Sequence, residues 1–257
     1  MDPMAHIEQL QFFSKCFDSF PEIFKESTSK VIDLGSLDIN GGPHRLLQLN
    51  YTGTDIGAGP NVDLVCPSQE LGFDSASFDS AISSECFEHN PFWRESLGQM
   101  ARLTRPGGVV IWSAAGIGRA IHGTSTSKDN GVSAPFVATS SDYYRNLDAL
   151  TASKAIHHAG WYSHWVYLEN LASNDTYFVG LRHGGTNSQK DAIKRLIIEL
   201  NDKYGDVNEF RTRRLFYGLG LIRVVESYFI LRRFLIVIRT ADQKLTRAKR
   251  RLKNFTK

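Results

Sequence analysis

Cysteine is scarce in this 257-residue chain, and its three copies, Cys16, Cys66 and Cys86, are odd in number and far apart. None lies in a CxxC pair, so neither a disulfide framework nor a zinc site is expected, and a reducing cytosol suits the chain. Long apolar runs are missing too. The hydrophobic C-terminal stretch is interrupted by Arg223, Glu226, Arg232, Arg233 and Arg239, and its longest uncharged run is eight residues, Leu215 to Ile222. A transmembrane helix needs about 18–20 apolar residues, so no span is expected. The stretch from Met1 to Gln11 carries Asp2 and Glu8 and no basic cluster, which argues against a secretory leader. No internal repeat is visible. The Gly-x-Gly-x-x-Gly fingerprint of dinucleotide sites is also absent, which disfavours a dehydrogenase.

What the chain does have is an uneven charge. The net charge of +3 hides a stretch from Arg211 onward with 14 Lys/Arg against Glu226 and Asp242, while residues 1–210 hold 16 basic and 25 acidic residues. An acidic body followed by a basic tail implies an anionic partner for the tail. Hydrophobic residues make up 42% of the chain. That is enough for one α/β domain of roughly 150–200 residues with added elements.

Periodicity predicts one or two helices over residues 5–24, with Phe12, Phe13, Phe17 and Phe20 as the apolar face. Strands are predicted at Lys30–Leu34, Tyr51–Thr54, Val62–Val65, Phe78–Ser83 and Val109–Ser113. Before the last of these, Asn90 as N-cap and Pro91 as first residue predict a helix with Trp93, Leu97, Met100 and Ala101 on one face; Arg105-Pro106-Gly107-Gly108 is its stop. Residues 115–150 are rich in Gly, Ser, Thr and Asn without a sustained period, and so long a loop reads as a functional lid. Two strands, Trp161–Leu168 and Thr176–Leu181, follow around the turn-forming Asn170–Asp175. Ser188 and Asp191 read as a capping box opening a helix whose stripe is Ile193, Leu196, Ile197, Leu200 and Tyr204. The pattern predicts an α/β fold whose mainly parallel sheet ends in an antiparallel hairpin. The segments are N-terminal helices over 1–29, a central domain over 30–183 and a basic helical extension over 184–257.

The first predicted strand runs into a turn, Asp33-Leu34-Gly35-Ser36-Leu37-Asp38, where small residues let backbone approach a ligand. Open parallel sheets bind ligands at the carboxyl ends of their strands. Asp55, 22 residues after Asp33, ends the second strand, where a carboxylate accepts hydrogen bonds from both hydroxyls of a ribose. These residues alone indicate a nucleoside. The run Phe78-Asp79-Ser80-Ala81-Ile82-Ser83-Ser84-Glu85-Cys86-Phe87-Glu88-His89, a helix, and then Leu103-Thr104-Arg105-Pro106-Gly107-Gly108-Val109-Val110 resemble the central block of class I S-adenosylmethionine (SAM)-dependent methyltransferases. The resemblance implies a Rossmann-like, seven-stranded sheet, SAM as cofactor and S-adenosylhomocysteine as product. It also implies a cofactor site drawn from Asp33, Gly35, Ser36, Asp38, Asp55, Ile56, Ser68, Ser83 and Ser84. The family's Gly-x-Gly stands here as Gly35-Ser36-Leu37, implying a wider turn with Ser36 or Asp38 near the methionine end. Pro67-Ser68 stands where many relatives carry an acid, leaving adenine to backbone groups and Ser68.

A sulfonium already activates the methyl group of SAM. The enzyme aligns donor and acceptor, and removes a proton when the acceptor is a hydroxyl. Candidate bases are Glu88 and His89 after the fourth strand and His122 after the fifth, where the family commonly builds its acceptor site; imidazole suits this work near neutral pH. Glu88-His89 also reads as a solvated cap, and Asp142 as the cap of an ordinary helix. His157 and His158 read as structural. No His–carboxylate pairing has metal-ligand spacing, so a divalent ion has no support in the sequence. With His122-Gly123-Thr124 and the basic tail, the chain is similar to methyltransferases of surface polysaccharide and glycoconjugate assembly. That implies O-methylation of a sugar hydroxyl in the cytoplasm, with 211–257 touching the membrane peripherally or packing on its own domain or a second copy in a homo-oligomer. A small metabolite is the second candidate acceptor. Nucleic acid ranks third, since no Asn-Pro-Pro-Tyr type motif is present, and a non-catalytic scaffold is a further alternative.

Overall fold

The computed structural model describes residues 7–39, 41–125, 127, 142–170 and 172–204. Among them seven strands form one sheet: β1 (Lys30–Leu34), β2 (Asn50–Asp55), β3 (Leu64–Val65), β4 (Phe78–Ser84), β5 (Thr104–Ala115), β6 (Tyr162–Asn170) and β7 (Asp175–Arg182). Their order is β3-β2-β1-β4-β5-β7-β6. The first five are parallel, and β7 pairs antiparallel with both β5 and β6. The helices are α1 (Ile7–Ser19), α2 (Pro21–Phe24), α3 (Trp93–Leu103), α4 (Ala149–Ala152), α5 (His158–Trp161) and α6 (Asn187–Tyr204).

Central strands covered on both faces read as continuous apolar runs, with successive side chains on opposite faces. Val31, Ile82, Val109, Ile111, Tyr177 and Val179 share one core with α1, α2 and α6. Ile32, Ala81, Val110, Trp112 and Phe178 share the other with α3. The N-terminal phenylalanines are part of the first core: Phe12 stacks on Tyr177 with ring centroids 4.4 Å apart.

Several boundaries differ from the sequence reading. Asn90 does not cap α3; its Oδ1 accepts from Phe92 N at 2.8 Å and its Nδ2 donates to Ser96 Oγ at 2.9 Å, so it ties a turn ahead of a helix that starts at Trp93. Helix α3 ends at Leu103, just before Arg105-Pro106-Gly107-Gly108, and that motif already belongs to β5 rather than preceding it. A Cβ at Gly108 would lie 2.4 Å from Asp79 O, so glycine is what admits close passage beside β4. Val62–Val65 shortens to Leu64–Val65. The capping box of α6 is Thr186 with Gln189, not Ser188 with Asp191: Gln189 N donates to Thr186 Oγ1 at 3.2 Å and Thr186 N to Gln189 Oε1 at 2.9 Å. Asp142 caps no helix and accepts from Ser125 N at 2.8 Å; α4 is capped by Asp148, which accepts from Thr151 N at 2.7 Å.

The chain divides into two units, Met1–Gly205 and Asp206–Lys257. The second, with the basic tail from Arg211, lies outside the described residues, as does the middle of the expected lid (126 and 128–141). No helix of the described residues is long and apolar enough to cross a membrane.

Candidate active site

Strand order reverses between β1 and β4, and the ends of both strands meet there. Gly35 takes φ +79°, and a Cβ on it would lie 2.4 Å from Cys86 Sγ, so the turns after β1 and β4 touch. Gly35 N and Ser36 N both donate to Thr54 O, at 2.8 and 3.0 Å, which locks this turn to β2. Asp33 is 2% exposed. Its Oδ2 accepts from Tyr51 OH at 2.5 Å, while Oδ1 is buried without a hydrogen-bond partner. Burial pushes the Asp33 carboxyl up to about 7, opposed by the Tyr51 hydrogen bond and reinforced by the nearby Asp55 charge.

Asp55 stands half-buried at the end of β2, followed by Ile56. Its Oδ1 accepts from Gly57 N at 3.1 Å and its Oδ2 from Leu37 N at 3.3 Å. Burial raises its pKa, and these backbone N–H groups, with that of Ile56, oppose the rise. Ser36 and Ser83 use their hydroxyls internally, donating to Asn61 O and Leu34 O, each at 2.7 Å. Asp38 closes its own loop through Gly41 N at 2.6 Å and Arg45 at 2.8 Å. Ser68 is buried in the turn Ser68–Glu70, and Ser84 is partly exposed at the end of β4.

The second cluster begins where β4 leaves the sheet. Glu85 adopts φ 51°, a left-handed conformation that costs a non-glycine residue about 1–3 kcal/mol and marks functional turns. Gln9 of α1 donates to Glu85 Oε1 at 3.0 Å and to Ser113 Oγ at 2.7 Å. Arg119 lies 3.6 Å from Glu85 and 2.5 Å from the fully buried Asp175. Burial, then the charges of Glu88 and Asp175, push Glu85 well above the usual carboxylate range, against the pull of Arg119. Glu88 is fully buried, with Oε1 accepting from Ala115 N at 3.1 Å.

The rings of His89, His122 and Tyr144 meet edge to face, with centroids 5.0, 5.2 and 5.1 Å apart. His122 Nδ1 is 3.0 Å from Ala120 O and 3.2 Å from Tyr144 OH; the carbonyl only accepts, and the tautomer with its hydrogen on Nδ1 and its lone pair on Nε2 satisfies it. Tyr144 OH donates to the same carbonyl at 3.2 Å. Burial lowers the His89 pKa and so favours a neutral imidazole, against the opposing pull of the Glu88 charge. One ligating atom each from Glu88, His89 and His122 lie within 4.8 Å of one another.

The structure therefore gathers Asp33, Gly35 and Asp55 on one side of the turns, and Glu88, His89 and His122 on the other. The carbonyl of Cys86, the residue in contact with Gly35, accepts from His89 N at 3.1 Å and joins the two sides. Ser36, Ser83 and Asp38 serve as braces of the turns. Metal-ligand spacing was absent from the sequence because His122 reaches this group from a different strand end. Gln9, Glu85, Arg119 and Asp175 escaped the sequence reading. Gln9 did leave a signal, a polar residue three and four positions before Phe12 and Phe13 on an apolar helix face.

Residues 32–112 match a family described as a methyltransferase domain. The sheet order is that of the class I methyltransferase fold, and the matched segment runs from β1 into β5. No curated protein matches it in sequence. Similar solved structures include the Burkholderia thailandensis 1,6-didemethyltoxoflavin-N1-methyltransferase with bound 1,6-didemethyltoxoflavin and S-adenosylhomocysteine, at 15% identity and TM-score 0.47 over 71% of this chain and 80% of that one. Another is the Haemonchus contortus phosphoethanolamine N-methyltransferase 2 in complex with SAM, at 15% identity and TM-score 0.45 over 71% and 59%. A third is the cyclase SpnF, at 11% identity and TM-score 0.46 over 72% and 85%.

Proposed function

We propose that the chain transfers the methyl group of SAM to a sugar hydroxyl of a glycan or glycoconjugate. The observation that carries the reading is the gathering of Glu88, His89 and His122 against the same turn as Gly35. The other side of that turn fits SAM. The Asp55 oxygens accept from backbone N–H groups and, with about two acceptor sites each, keep capacity for a ribose hydroxyl. Asp33 holds a buried, unpartnered oxygen, an environment that an ammonium group would relieve. Bound there, SAM supplies a methyl group already activated by its sulfonium.

The acceptor class follows from what the second cluster offers. A thiol or neutral amine needs little help, whereas a hydroxyl must lose its proton. Two imidazoles and a carboxylate converging on one point supply that activation. Glu88 anchors the point to β5 through Ala115 N, and Tyr144 packs against both imidazole rings. The sugar and the glycan are supported by the His122-Gly123-Thr124 resemblance and by the basic, apolar tail, which suits contact with an anionic membrane carrying lipid-linked glycans. The test is mass spectrometry of candidate glycans incubated with enzyme and SAM, in which a methyl increment on a sugar is expected. An increment on small metabolites alone would overturn the glycan acceptor, and no SAM binding by calorimetry would overturn the methyl donor.

A further inference from the structure

Among the described residues, Glu88, His89 and His122 are the one group of three side chains whose metal-ligating atoms converge. We infer that they bind a divalent transition-metal cation. Two imidazoles and one carboxylate form a donor set suited to Zn2+, Co2+ or Mn2+, whereas Mg2+ and Ca2+ take oxygen ligands. Each side chain is prepared for the task. Glu88 is fully buried and fixed by Ala115 N, and its Oε2 meets no donor other than the neighbouring Glu85 carboxyl. His89 Nδ1 is likewise buried and unpartnered. His122 directs Nδ1 to the Ala120 carbonyl at 3.0 Å, the outer contact that fixes a ligating imidazole and leaves Nε2 for the ion.

The charge balance points the same way. Glu85 and Asp175 share the guanidinium of Arg119, while Glu88 makes no ion pair among the described residues. A buried carboxylate is costly unless a cation or donor meets it. The role of the ion rests on the hydroxyl-acceptor reading; its binding does not. A dication beside the acceptor lowers the hydroxyl's pKa. The O–H proton then passes to water, and the oxygen bonds to the methyl carbon as the carbon–sulfur bond of SAM breaks, its electron pair staying on sulfur.

Chelator-treated full-length protein is titrated with Co2+, Zn2+, Mn2+ and Mg2+, with binding read by calorimetry, by metal analysis after gel filtration, and by the visible absorption of Co2+. One equivalent of a transition metal is expected, with Mg2+ weaker. Glu88→Gln and His122→Ala should each weaken binding at least as much as the tenfold to hundredfold loss typical of an outer-shell partner. The exposed His157→Ala should bind as the parent does. His122 lies on the loop after β5, so its variant tests the site even where the buried Glu88→Gln does not fold. No bound ion, or unchanged affinity in His122→Ala, overturns the site. Methyl transfer that survives chelation overturns the ion's role and leaves the methyltransferase reading intact; an ion bound by a chain that does not bind SAM does the reverse.

Discussion

Asp55 accepts Leu37 N and Gly57 N through different oxygens, so two backbone donors orient its carboxylate before any ligand arrives. Asp55→Ala removes a charged acceptor worth about 1.5–3 kcal/mol, and calorimetry should show SAM affinity falling tenfold or more. Unchanged affinity would take Asp55 out of the site. His122 is the residue proposed for the acceptor side. His122→Ala should lower kcat by roughly 10²–10⁴-fold with SAM affinity near the parent value, as expected of a group that activates the acceptor, directly or through a bound cation; a near-normal rate at saturating acceptor would remove it. Their places at strand ends were legible, because strand ends and the turns after them can be read from a sequence. Glu85 was not, because what distinguishes it is a left-handed backbone and a partner, Gln9, 76 positions away. Nor was the confinement of Ser36 and Asp38, whose partners Asn61 and Arg45 are settled by how the loops fold back.

The elements were easier to read than their ends. The buried runs of β1, β4 and β5 and the 3.6-residue stripe of α3 are set by burial on the two faces of the sheet, and both are written in residue type. The starts of α3 and α6 were misplaced because Asn90 and Ser188 are good caps by type, while the chain selects Phe92 and the Thr186–Gln189 pair by local geometry. Helix α1 shows how an element serves the site. Phe12, Phe13, Cys16 and Phe17 are buried in the sheet core, and that packing delivers Gln9 to Glu85 and Ser113. Phe12→Ala removes a fully buried ring stacked on Tyr177. It should cost about 3–5 kcal/mol, seen as a lower midpoint in urea with little change in slope. A shift under about 1 kcal/mol would mean that α1 is only loosely docked.

On the scale of the whole molecule, charge governs two behaviours. The tail from Arg211 carries 14 Lys/Arg against two acids. At about 1 kcal/mol per basic residue near an anionic surface, full-length protein should co-sediment with anionic vesicles, lose that binding at high salt, and lose it when 211–257 is deleted; equal binding by the truncated form would refute the contact. The second behaviour belongs to the body. Asp33 is buried beside the Tyr51 hydroxyl, with the Asp55 charge and the Cys86 thiol as further titratable neighbours, and its carboxyl is pushed up to about 7. In the unfolded chain an aspartate titrates near 3.9. Between those values the folded state binds the extra proton, so the stability that Asp33 contributes is full below about pH 4, falls as pH rises through the window, and levels off above about 7. A shift of this size corresponds to at most about 4 kcal/mol across the window. Urea midpoints measured from pH 5 to 8 should therefore fall more steeply for the parent than for Asp33→Asn, whose amide does not titrate. Parallel curves would mean that Asp33 ionises as an ordinary carboxylate, with solvent reaching its unpartnered oxygen.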